Sequence, residues 1–320
     1  KVMNLHILTR DVANSVFIIL LIKIFIGMFS GIENAIYRAN HQASTAVYMD
    51  QLGILTVAII TLICIVIKVP IILMCFLICI PQLTIIIIKY FHSKKLFVYH
   101  FTFKSFDLPL MKSIILPSLS FMSFPIGNTI VLQGYTLVVN SYFGADSVVL
   151  YNTTRTLCNF IKTFLSTLQS AVWPEYSIAY GNNDFLLMRH LHRKILKITL
   201  IISILMGVAL VLFGPFIYKI WTHNSVEFSY SLMITYILVL ITESLWTSSA
   251  VTLMATNNHS KLGFIYISVS IITLLFAVIV AKYFNLIWYV AATLIVMHVI
   301  ISCYTVKAGF KFTQDKFSFK

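Results

Sequence analysis

A polytopic all-α membrane protein is the fold class this sequence predicts, and three observations predict it. Of 320 residues, 59% are hydrophobic and only 10% are charged, against roughly a quarter charged in soluble domains. The mean hydropathy is +0.93. Apolar runs of spanning length, about 20 residues, recur along the whole chain. A transmembrane β-barrel is excluded, because barrels show short alternating segments rather than long continuous ones.

Nine spanning helices are expected, over about 13–38, 50–67, 69–91, 113–143, 146–179, 187–221, 228–256, 261–283 and 285–307. The first carries Lys23, Gly27, Ser30, Asn34 and Tyr37 at spacings of 4, 3, 4 and 3, a polar stripe at helical period. Glu33 borders that stripe and is placed to pair with Arg38. The third holds Cys75 and Cys79 on one face, with no His or carboxylate beside them to complete a metal site. No metal, cofactor or structural disulfide is expected.

Residues 92–112 are basic and aromatic, with a helix start at Asp107 followed by Pro109. They read as a connector lying in the headgroup region. The fourth helix has an uncharged stripe of Thr129, Gln133, Thr136 and Asn140. A tight turn at Gly144-Ala145-Asp146 leads into the fifth. There Asn152, Arg155, Asn159, Lys162, Ser166 and Gln169 follow at spacings of 3, 4, 3, 4 and 3, along one face. Cations in the middle of a membrane helix are costly unless they face protein or a water-filled cavity. This helix pair therefore reads as the wall of a polar, positively charged chamber.

Further on, Trp173-Pro174-Glu175 reads either as an interfacial Trp with a kink and a solvated carboxylate, or as part of a gate. Gly181 stops the helix and Asp184 caps the next, whose basic start includes His190 and His192. Two residues apart, these do not share a helix face and read as solvated. In the seventh helix Glu243 has three readings: a neutral core carboxyl, a partner for Lys162 or Arg155, or an ion-coupling site.

A net charge of +13 would suggest nucleic acid for a soluble chain. Here it follows from the excess of Lys and Arg in cytoplasmic loops. Alternate loops carry fifteen basic residues on one side, Lys89 and Lys94 among them, and five on the other; Lys23, Arg155 and Lys162 lie within the membrane. That asymmetry places the C-terminus in the cytoplasm and the N-terminus outside. Nothing before Val12 carries an outside N-terminus across, so one or more upstream helices are expected. No phosphate loop, nucleophile elbow or paired acidic motif is present, and the short outer loops leave no room for an enzyme's chemistry. No catalytic residue is assigned.

Several ordered blocks carry a family resemblance. They are Phe124-Pro125-Ile126-Gly127-Asn128, Leu132-Gln133-Gly134-Tyr135-Thr136-Leu137-Val138-Val139, Phe143-Gly144, Tyr151-Asn152-Thr153-Thr154-Arg155-Thr156-Leu157 and Trp173-Pro174-Glu175-Tyr176. The chain resembles the O-antigen and polysaccharide flippases (Wzx-type) of the multidrug/oligosaccharidyl-lipid/polysaccharide exporter superfamily. That resemblance implies twelve helices in two lobes, here without the first three. Residues 1–91 would be a partial N-terminal lobe of three helices, 92–112 the cytoplasmic connector and 113–320 the six-helix C-terminal lobe.

The implied function is moving an undecaprenyl-diphosphate-linked oligosaccharide across the bacterial inner membrane by alternating access. Arg155, Lys162 and Lys23 would contact the anionic head group, and Asn152, Asn159, Gln133 and Asn140 would line the path. Glu243, Glu175 and Glu33 would be coupling or gating candidates. The implied partners are the lipid-linked oligosaccharide, membrane lipid and the polysaccharide polymerase machinery, with no nucleic acid. The rival readings are a drug exporter on the same fold, a membrane enzyme of glycan assembly and a non-transporting remnant.

Overall fold

The computed structural model describes residues 10–40, 42–96 and 107–313, and among these every regular element is helical. The helices are α1 (Arg10–Ala39), α2 (Ala43–Val66), α3 (Ile71–Leu77), α4 (Cys79–Leu96), α5 (Leu108–Thr129), α6 (Tyr135–Phe143), α7 (Ala145–Gly181), α8 (Phe185–Thr222), α9 (Tyr230–Ala255), α10 (Ser260–Tyr283) and α11 (Ile287–Phe312). A π-turn, Ile130–Gly134, joins α5 to α6. Eight helices or joined helix pairs are long and apolar enough to span a membrane. The ninth, α7, has the length at 37 residues, but its polar stripe lowers its hydropathy.

Most helices extend past the expected ends by a few residues. The expected third helix is broken instead, into α3 and α4 at Ile78. Pro81 lacks an N–H, and its ring collides with the carbonyl four residues back, Leu77, where α3 ends. The connector is shorter than expected: 92–96 continue α4, 108–112 open α5, and 97–106 lie outside the described residues. Asp107 does cap α5, its carboxylate accepting from Leu110 N at 3.2 Å. Asp184 likewise accepts from Leu187 N at 2.9 Å at the start of α8.

The chain divides into two compact units at Phe106/Asp107. In the first, α1 packs on α4, α3 and α2. Its buried centre is polar. Lys89, on α4 and wholly buried, meets Asp50 of α2 at 2.5 Å and donates to Asn34 Oδ1 of α1 at 2.8 Å. Asn34 Nδ2 donates back to Asp50 at 3.0 Å, which closes a ring across three helices. Lys89 is therefore not a loop cation. Glu33 is also buried, among Ile86, Ile87 and Tyr90 of α4, and makes no ion pair with Arg38, which is exposed.

In the second unit α9 is central, packed on α7, α8 and α11, while α10 packs on α5 and α11. Small side chains let these backbones approach, as in other membrane bundles. Ser244, Ser248, Ser249 and Thr252 of α9 are buried, and Gly207 of α8 admits Ile237 where a Cβ would stand 2.6 Å away. The closest approach is at Gly263 of α10, where an added Cβ would lie 2.4 Å from the Ser120 carbonyl oxygen. Backbone cannot rotate away as a side chain can. Gly263→Ala should destabilise the unit by about 1–3 kcal/mol, as overpacking does, read as a lowered midpoint in detergent melts. An unchanged midpoint would contradict this packing. Gly144, at φ +83°, makes the turn from α6 to α7 in a region that costs other residues a Cβ clash.

His192 is a correction to the sequence reading. It is buried, with Nε2 3.0 Å from Ser249 Oγ and its ring centroid 4.5 Å from that of Phe310. Met188, His192, Ile195, Thr199 and Ser203 form one buried stripe of α8. His190 is exposed, as expected.

Candidate functional site

The α7 stripe faces two adjoining cavities inside the second unit. A small one, about 40 Å³, is lined by Arg155, Cys158, Asn159 and Lys162 of α7, Asn128 and Leu132, Tyr236 and Glu243 of α9, Tyr266 and His298. A larger one, about 390 Å³, is lined by Lys162, Ser166, Gln169 and Trp173 of α7, Phe124 and Asn128 of α5, Glu243, Trp246 and Thr247 of α9, and Tyr266. The small space has room for a few waters. The larger falls in the ~300–1,000 Å³ range of ligand pockets.

Lys162 and Glu243 form the shared wall. Their Nζ–Oε1 distance is 2.6 Å, with the lysine 40% and the carboxylate 14% exposed. Of the three readings for Glu243, the geometry is that of the Lys162 partner. Arg155 is held differently. Its Nη1 donates to the Leu132 carbonyl in the π-turn at 3.0 Å and lies 3.4 Å from Thr136 Oγ1, and its guanidinium sits 5.5 Å from the Tyr151 ring centre. These partners are all neutral. Among the described residues Arg155 has no carboxylate partner, so one full positive charge stays unopposed beside the ion pair.

Some lining groups already have partners and others do not. Gln169 Nε2 donates to Thr247 Oγ1 at 3.0 Å and Ser248 Oγ at 3.1 Å. Trp246 Nε1 donates to His298 Nδ1 at 2.9 Å, which puts the proton of a neutral His298 on Nε2. The side-chain amides of Asn128 and Asn159 make no hydrogen bond within the described protein. A primary amide at membrane depth with nothing to bond is costly unless water or a ligand meets it.

The remaining predicted residues are dispersed. Asn152 is half-buried and accepts from Thr136 Oγ1 at 3.4 Å. Gln133 and Asn140 are exposed, as is Thr129, while Thr136 alone of that stripe turns to α7. The π-turn between them separates residues that an unbroken helix would align. Glu175 is exposed and lines neither cavity. Lys23 lies in the first unit, on a cavity of about 580 Å³ with Ser30, Asn34, Asp50 and Gln82. Tyr236, Trp246, Tyr266 and His298 were not singled out from sequence as site residues. They lie on apolar helices where nothing local marks them.

Residues 126–283 match the MatE family model, which spans most of both cavities. Solved structures extend the likeness to nearly the whole chain. An outward-facing multidrug resistance MATE family transporter of the MOP superfamily matches with a TM-score of 0.77 at 15% identity, over 93% of this chain and 69% of that one. The chain has the fold of the MATE transporters. A MATE structure in complex with MaL6 gives a TM-score of 0.75 at 17% identity, over 93% and 69% of the two chains. A MOP superfamily transporter from Pyrococcus furiosus, described by the reverse polarity of its binding pocket, gives 0.74 at 17%, over 93% and 68%. No curated protein matches in sequence.

Proposed function

We propose that this MATE-fold chain moves a lipid-linked oligosaccharide across the bacterial inner membrane, with its C-terminus in the cytoplasm. The observation that carries the reading is the charge of the cavity wall. Lys162 and Glu243 cancel, and Arg155 adds a positive charge with no counter-ion of its own. Such a wall attracts an anion and repels the lipophilic cations that a drug exporter would carry. A diphosphate and its glycan cannot enter hydrocarbon unaided, and a guanidinium and an ammonium both suit phosphate oxygens.

The Pyrococcus relative supports this direction, since there a reversed pocket polarity suggests a different function. Lys23 lies on a cavity of the first unit, which Asp50 also lines.

The test is translocation by the unmodified chain in proteoliposomes. Undecaprenyl-diphosphate N-acetylglucosamine is placed in both leaflets, and an external galactosyltransferase labels only what faces out. With the protein present, labelling should pass from about half of the lipid to nearly all of it, since only translocation exposes the inner pool. Labelling that stays at half, together with uptake of an organic cation such as ethidium, would overturn the reading in favour of drug export.

A further inference from the structure

The two cavities differ in chemistry, and the difference is what a two-part ligand requires. The small one is cationic. The larger has an aromatic wall. Phe124 and Tyr266 ring centres are 5.7 Å apart and Tyr266 and Trp246 5.1 Å, with Trp173 completing the lining. Trp246 is held in place by its bond to His298. Around this wall stand the unpartnered amide of Asn128, the anchored amide of Gln169 and Ser166.

We propose, building on the function above, that the larger cavity is a sugar subsite. It takes the first ring of the glycan, an uncharged or N-acetylated pyranose. The C–H face of that ring lies on the aromatic wall, and Asn128 and Gln169 read its hydroxyls. Aromatic faces offer large apolar area in a fixed orientation. An amide both donates and accepts, as a hydroxyl does. The placement suits the ligand's connectivity: the first sugar is bonded directly to the diphosphate, and Lys162 lines both cavities. A lipophilic cation would also suit aromatic walls, but the single carboxylate there is already neutralised by Lys162, and a cation leaves the Asn128 amide unmet.

Binding to the full chain in lipid nanodiscs tests this. The probes are undecaprenyl diphosphate without sugar, undecaprenyl-diphosphate N-acetylglucosamine, and tetraphenylphosphonium. The sugar should tighten binding at least about tenfold, a step of 1.4 kcal/mol. Trp173→Ala, which touches the larger cavity alone, should remove most of that gain and leave the bare lipid within about twofold, while Trp173→Phe retains it.

Equal binding of the two lipids would overturn the subsite. So would variants that weaken both lipids alike, which is the mark of a structural role. Tetraphenylphosphonium bound in a Trp173-dependent manner, and displacing the sugared lipid, would assign the cavity to cations. Bare lipid that does not bind at all would overturn the functional reading itself. Bare lipid that binds without a sugar increment would overturn only the subsite.

Discussion

Lys162→Glu should abolish translocation of the anionic lipid while the chain still inserts in the membrane. In the unmodified chain the 162 ammonium sits 2.6 Å from the Glu243 carboxylate. A glutamate there brings two carboxylates together at the shared wall of the cavities, and like charges in such a position cost several kcal/mol. The wall also changes from one net positive charge to one net negative. An expected fall of at least about a hundredfold in initial rate corresponds to at least about 2.8 kcal/mol, within that range. The double variant Lys162→Glu/Glu243→Lys restores the pair with its charges exchanged. Its melting midpoint should return close to that of the parent. Its transport should recover only in part, because the ammonium now belongs to α9 and no longer continues the α7 row of Arg155 and Asn159. Full activity in Lys162→Glu would remove this ion pair from the mechanism.

Lys89→Met should be the most destabilising single change in the first unit. It takes the ammonium out of the ring formed with Asp50 and Asn34 and leaves a carboxylate with only the Asn34 amide and, at 3.5 Å, the Ser30 hydroxyl. Removing one partner of a fully buried pair costs about 3–5 kcal/mol. Asp50 is 33% exposed toward its cavity, so about 2–3 kcal/mol is the appropriate expectation, since water screens part of the charge. Lys89→Met/Asp50→Asn should recover most of the loss, because a neutral amide at 50 needs no counter-ion. Denaturation of the single and double variants completes a thermodynamic cycle. Purely additive losses would show that Lys89 and Asp50 do not act as a unit.

The α7 stripe and Glu243 were legible in the sequence because a polar residue stands out in an apolar helix, and its spacing alone assigns it to a face. Residues 152–169 do share a face, and four of the six helices expected in the second unit have both ends within two residues of their predicted places. Three features were not legible, for different reasons. The Lys89–Asp50 pair joins residues 39 apart in the chain, and only the packing of α2 on α4 brings them together. Lys89 also lies close to Lys94 and Lys95, which made it look interfacial. His192 stands in a basic helix start beside the exposed His190, and only its own row with Met188, Ile195, Thr199 and Ser203 marks it as buried. The stripe from Thr129 to Asn140 fails because the spacing presumes an unbroken α-helix, and the π-turn falls inside it.

That π-turn has a mechanical consequence. A wide turn closes over one more residue than an α-turn, so the span from Leu108 to Phe143 contains a surplus position. Such a surplus can migrate. Moving the wide turn one position along the helix exchanges backbone hydrogen bonds one for one, and each residue it passes turns by about 100°, the angle one residue subtends at 3.6 per turn, while the segments on either side keep their faces. Arg155 donates to the carbonyl of Leu132 inside this turn, so a wide turn that moved would have to release that bond, and the wall of the site and the shape of the α5–α6 span are tied to one another.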